Sequence, residues 1–149
     1  SDAHLSDDTK AKIRAMLRAI SEIESIGDSC FNLAPTIKRK GENKEEFTAK
    51  QNENIHQMFK LVDEALIQMN FMFVHERQSI NMNQTYNIET EINNYRNRLK
   101  NQNVIDVNDK KYDYQMGVHY MDLITECEKL GDYVVNVVEA HCDVKEKKA

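Results

Sequence analysis

The chain has 149 residues, enough for one domain (residues 1–149) that buries a core of its own without covalent staples. One proline, four glycines and 30% charged residues, with no sustained apolar–polar alternation, exclude a β-rich fold and leave an all-α one. A net charge of −5 excludes the basic surface that nucleic acid requires, and three irregularly spaced cysteines exclude a disulfide framework.

The first helix starts near Ser6, a suitable N-cap followed by Asp7 and Asp8, and its apolar residues Ile13, Met16, Ile20, Ile23, Cys30 and Ile37 keep helical spacing. Pro35 should kink or end it, and Gly41 should close it. Lys38 to Lys40 are the cations a helix C-terminus favours. A second helix is expected from about Lys44 to Val74, striped by Ile55, Met58, Phe59, Val62, Leu66, Met69 and Phe73. Beside that stripe, Phe71 and Met72 are candidates for an exposed contact surface. "QSINMNQ" reads as a loop. A thinner third helix should run from about Thr85 to Lys100, with Tyr86, Ile92, Tyr95 and Leu99 inward, and a fourth from about Tyr112 to Cys142. The tail "DVKEKKA" should be solvated or frayed. No run approaches the roughly 20 apolar residues of a membrane span. The start at Ser1, without an initiator Met or a signal peptide, suggests a fragment of a longer protein. Four long helices with short connections favour an antiparallel up-down-up-down bundle.

Two stretches break the helical pattern in the same way. In "SEIESIGDSCFNLA" and in "TECEKLGDYVVNVV", 104 positions on, Glu22, Glu24, Gly27, Asp28 and Asn32 align with Glu126, Glu128, Gly131, Asp132 and Asn136. An interior glycine costs a helix about 1 kcal/mol, and a buried carboxylate needs compensation. The polar and glycine positions repeat while the apolar ones vary, the reverse of what core packing alone would keep. Antiparallel packing of the first and fourth helices would bring both motifs to one level, with Gly27 and Gly131 at the contact. Glu24, Asp28 and Asn32 are four apart along one helix face, as are Glu128, Asp132 and Asn136. Carboxylates and amides are oxygen donors, suited to Mg, Mn or Fe rather than to a thiolate zinc site. The plainer reading has the acids solvated or paired with Arg18, Lys129 or Arg96.

Other polar groups are weaker signals. Glu53 and His56 make one Glu-x-x-His, where a di-iron bundle uses two. His119, Asp122 and Glu126 share a face of the fourth helix. No serine or cysteine has a nucleophile's setting and no Gly-rich phosphate loop occurs, so no catalytic residue is assigned and the chain does not read as an enzyme.

"EIESIGDSCFNLA" and "ECEKLGDYVVNVVEA" are similar to the repeated Glu-x-x-Gly-Asp-x-x-x-Asn helix of the PhoU family of phosphate-signalling proteins, and "ETEINNYRNRLK" resembles the acidic second helix of a PhoU repeat. The resemblance touches all four helices and implies a PhoU-like bundle, a motif helix followed by one three-helix repeat. A shortened unit of this kind resembles the cytoplasmic C-terminal region of bacterial sodium/phosphate cotransporters. It implies a non-catalytic regulatory domain on the cytoplasmic side of the inner membrane, with the membrane domain of the same transporter or a second copy as partner. It also implies a divalent metal (Fe, Mn, Mg or Zn) in one or two sites formed by Glu24, Asp28, Glu128 and Asp132. The competing readings are a ferritin-like storage or oxidase bundle and a metal-free helical adaptor.

Overall fold

A computed structural model of the chain describes residues 5–42, 47–75 and 81–146, with side chains described up to residue 33 in the first segment and up to 142 in the last. Four helices account for nearly all of it: α1 (Asp7–Glu42), α2 (Ala49–Val74), α3 (Met82–Asn108) and α4 (Tyr114–Glu146). Among the described residues there is no strand, and no helix is long and apolar enough to cross a membrane.

Local chemistry sets the helix starts. The Ser6 hydroxyl accepts from the Thr9 amide at 3.2 Å. Thr48 and Gln51 form a reciprocal capping box, so α2 begins at Ala49 rather than near Lys44. Asn81 caps α3 by accepting from the Asn83 amide, which makes Met82 to Gln84 helical where the sequence suggested loop; the remainder of that expected loop lies outside the described residues. The third helix also continues to Asn108, eight residues beyond the expected end, because no glycine or proline interrupts "NQNVIDVN". The turn into α4 has Lys110 at a φ of 59°, with its amide on the Val107 carbonyl. Pro35 does not end α1, which runs on to Glu42; one missing backbone bond is tolerated in a helix with a solvated side. The expected frayed tail is helical as far as Glu146.

Side-chain contacts fix the directions. Arg18 reaches Glu139, Asn136 reaches Glu22 and Ser29 reaches Glu126, so α1 and α4 run antiparallel. Tyr86 meets Glu139 and Arg96 meets Glu128, so α3 is antiparallel to α4. Phe47 packs on Tyr120 and Phe73 on His141, so α2 is parallel to α4. The directions alternate as expected of a bundle.

The packing is not that of a symmetric four-helix ring. Helices α2, α3 and α4 pack on one another, whereas the substantial contacts of α1 are all with α4. The core is therefore centred on α4, where Ile124, Cys127, Val134, Val137 and Val138 are within 1% of full burial, with Met58 and Ile92 facing in from α2 and α3. Each such side chain contributes roughly 1.5–3 kcal/mol of burial. Tyr120, 2% exposed, accepts from Asn54 at 3.1 Å, and Asn54 in turn accepts from Tyr95 at 3.2 Å. Burial pushes the Tyr120 phenol up to about 12 although the Asn54 donor pulls the other way.

The expected inward stripe of α1 points outward. Ile13, Met16, Ile20 and Ile23 are 41–61% exposed, and Cys30 is exposed too. The residues facing α4 are instead Ala15, Ala19, Ile26, Ser29 and Leu33, half-buried or buried and three of them small. Small side chains let two helices approach closely, and that contact outweighs the larger residues on the far face. On α2, Met72 is 1% exposed and so belongs to the core, contrary to its expected role as a surface residue; Phe71 is 42% exposed and stacks on His75.

Candidate functional site

The duplicated motif sorts into two sets of residues. Glu22, Asn32, Glu126 and Asn136 turn toward the α1–α4 seam. Asn136 donates to Glu22 at 3.2 Å, and its counterpart Asn32 donates to Glu126, the counterpart of Glu22, at 3.4 Å. These are the same bond related by a local twofold between α1 and α4. Ser29, 2% exposed, adds a shorter bond to Glu126 at 2.6 Å, and Lys129 lies 3.6 Å from the other carboxylate oxygen. Two of the five repeated positions are thus explained by mutual hydrogen bonding across a helix pair. Carboxylates so paired are tolerated near the core because their acceptors are satisfied by donors.

The second set, Glu24, Gly27 and Asp28 with Glu128, Gly131 and Asp132, faces away from the seam on both helices. The first copy looks into open space: Glu24 and Asp28 are exposed, and a Cβ added to Gly27 would meet nothing within 4 Å. The second copy looks onto α3. Arg96 and Glu128 form an ion pair at 2.8 Å with both side chains three-quarters buried. A Cβ on Gly131 would lie 3.0 Å from the Ile92 side chain. Asp132 lies beside Glu89, which itself accepts from Asn93 at 3.3 Å. Burial, first, and then the neighbouring Glu89 raise the Asp132 carboxyl above its ordinary value. The sequence predicts both glycines at the α1–α4 contact, and the structure places neither there: Gly131 admits α3, and Gly27 admits no described neighbour.

Of the two arrangements expected for Glu24, Asp28, Glu128 and Asp132, a shared site or two sites, this geometry leaves only two separate ones on opposite sides of the helix pair. As donors they suit a hard cation, but Glu128 is engaged by Arg96. Among the described residues no three His, Cys, Asp or Glu side chains converge. The oxygen pair with the strongest reason to take a cation is Glu89 with Asp132, since positive charge there would relieve both repulsion and desolvation.

The other candidates disperse. Glu53 pairs with Lys50 on the surface and His56 is exposed. His119 contacts Gln115, Asp122 is exposed, and Glu126 belongs to the seam. Three residues of the motif's surroundings went unassigned from sequence: Ser29, Glu89 and Asn93. The signal for Glu89 was its spacing of three and seven from Ile92 and Arg96, which puts all three on one face of α3. No protein-family model, curated protein or solved structure matches the chain.

Proposed function

We propose that the chain is a non-catalytic, PhoU-like regulatory module of a sodium-dependent phosphate transporter, acting on the cytoplasmic side of the membrane. Its partner in this reading is the membrane domain of the same polypeptide. The observation that carries the reading is the division of the duplicated motif. One half of it locks two helices together, and the other half presents carboxylates outward, on a surface in the first copy and against α3 in the second. A module of this kind changes state when charge is added to or removed from those carboxylates, and it needs no nucleophile or general base to do so.

In the same proposal a divalent cation binds at the second copy through Asp132 and Glu89, with water completing an oxygen shell. Thermal melts in Mn or Mg against chelator test it. Bound cation should raise the melting temperature progressively with the logarithm of its concentration above the dissociation constant, and Asp132→Asn should abolish the rise. Superimposable curves at saturating metal would exclude the cation site. For the transporter reading, the test is sodium-driven phosphate uptake by the intact transporter with and without this segment; identical rates and identical phosphate dependence would remove it.

The seam gives specific support to one second reading, a metal-free helical adaptor. Glu22, Asn32, Glu126 and Asn136 have a full structural explanation without any ion. The two readings separate in the same melts, since the adaptor responds to no metal.

A further inference from the structure

Among the described residues, α1 carries more exposed large apolar side chains than any other helix. Ile13, Met16, Ile20 and Ile23 recur at alternating spacings of three and four, flanked by Leu17 and Phe31, at exposures from 41% to 75%. That spacing continues through Gly27 and Cys30, which is the pattern of a two-helix coil's seam rather than of scattered surface residues. Charge along one edge of the seam changes sign about its centre, with Lys10 and Arg14 before it and Glu24 after it, and Asp7 and Asp28 stand at the two ends. Two such helices set parallel would place like charges together. Set antiparallel, they place opposite charges together, so the face is self-complementary under a twofold axis.

We propose that two copies of this chain associate through α1, antiparallel, with Ile13 opposite Ile23 of the other copy and Met16 opposite its Ile20. In this register Lys10 and Arg14 run beside the other copy's Glu24, Thr9 falls opposite Gly27, and Ser6 falls opposite Cys30. The open space at Gly27 then admits the other helix as closely as Gly131 admits Ile92. The acidic end of the seam disfavours an anionic lipid surface as the occupant, because amphipathic helices that bind such surfaces carry lysine and arginine on the polar face. This inference stands independently of the transporter and metal readings.

Sedimentation equilibrium of the full chain from low micromolar to about 100 μM, chosen to span ordinary dimer affinities, is the primary test. The wild type should dimerise. Ile20→Glu, exposed in the monomer, should keep its helical content and melting temperature while weakening dimerisation roughly a hundredfold or more, because two central side chains are lost per dimer. Arg14→Glu should weaken it about tenfold, and Arg14→Glu with Glu24→Arg should restore it. Oxidation of a chain carrying Ser6→Cys and Cys142→Ser should join the new thiol at position 6 of one copy to Cys30 of the other, read by mass spectrometry of the linked peptides. A wild type monomeric throughout, an Ile20→Glu dimer as tight as wild type, no restoration by the charge swap, or a Cys30–Cys30 cross-link, which a parallel pair would give, each overturns the proposal.

Discussion

The two copies of the motif have nearly the same polar residues and opposite surroundings. Around Gly131, α3 supplies Ile92 to the glycine, Arg96 to Glu128 and Glu89 beside Asp132. Around Gly27 nothing described occupies the corresponding space, and Glu24 and Asp28 face solvent. Chemical identity at aligned positions therefore says little about energetic role. The residues that do equivalent work in both copies are those facing the seam, because the seam is shared and the outer faces are not.

The contrast is sharpest in the apolar residues. Ile92→Ala should cost about 2–5 kcal/mol, since its side chain is fully buried between α3 and α4 and a cavity would remain. Ile20→Ala, in a residue 51% exposed, should fall within about 0.5 kcal/mol at concentrations where the chain is monomeric. Urea melts at low protein concentration measure both, and equal losses would mean that α1 is covered in solution even in the monomer.

Next in size is the shared seam. Ser29→Ala removes the 2.6 Å bond to Glu126 and leaves a carboxylate with a distant lysine and a weaker Asn32 donor, at a cost of about 1–2 kcal/mol. Asn136→Ala should cost less, about 1 kcal/mol, because Glu22 on the half-exposed side of α1 can be rehydrated. If Asn136→Ala were neutral, the local twofold would be a geometric coincidence rather than a source of stability.

Asp132 gives the third comparison through its pH dependence. Its carboxyl is raised in the fold, so the protonated form is favoured there relative to the unfolded chain. The stabilising contribution is complete below the unfolded value, and it is lost as pH rises through the raised folded value. Asp132→Asn should accordingly raise stability near pH 7 in metal-free buffer, by no more than about 1 kcal/mol after allowing for partial solvent screening. The gain should vanish at a pH where the carboxyl is protonated in both states.

The helical class, the alternating directions and the antiparallel pairing of α1 with α4 were legible because periodicity and short connections carry them. The central residues Met58, Ile92 and Leu99 were legible for the same reason. The face of α1 was not. Ile13, Met16, Ile20 and Ile23 outweigh Ala15, Ala19 and Ser29 in any hydrophobic pattern, yet these small residues share the contact with Ile26 and Leu33, because closeness of approach depends on size and periodicity reports only greasiness. The candidate site was half legible. The repeat exposed Glu24, Asp28, Glu128 and Asp132, but Glu89 and Arg96 act from another helix, and which helix lies against which motif is a fact of topology that a repeat does not encode.

The smallest expected effect, and the most direct test of open against covered, is at the glycines themselves. Neither has a positive φ, so alanine is compatible with the backbone at both positions. Helix propensity alone favours alanine over glycine by about 1 kcal/mol. At Gly27 the added methyl meets nothing within 4 Å, so Gly27→Ala should keep most of that gain, about 0.5–1 kcal/mol. At Gly131 the methyl would stand 3.0 Å from Cδ1 of Ile92, which must rotate or shift within a filled core, and the strain should cancel the propensity gain or exceed it. The double variant Gly131→Ala, Ile92→Val separates the two contributions, because Val lacks the Cδ1 atom that the methyl meets. Gly131→Ala should be better tolerated in that background than in the wild type. A Gly131→Ala variant as stabilised as Gly27→Ala would mean that α3 does not press on the second motif, and the difference between the two copies would lose its physical basis.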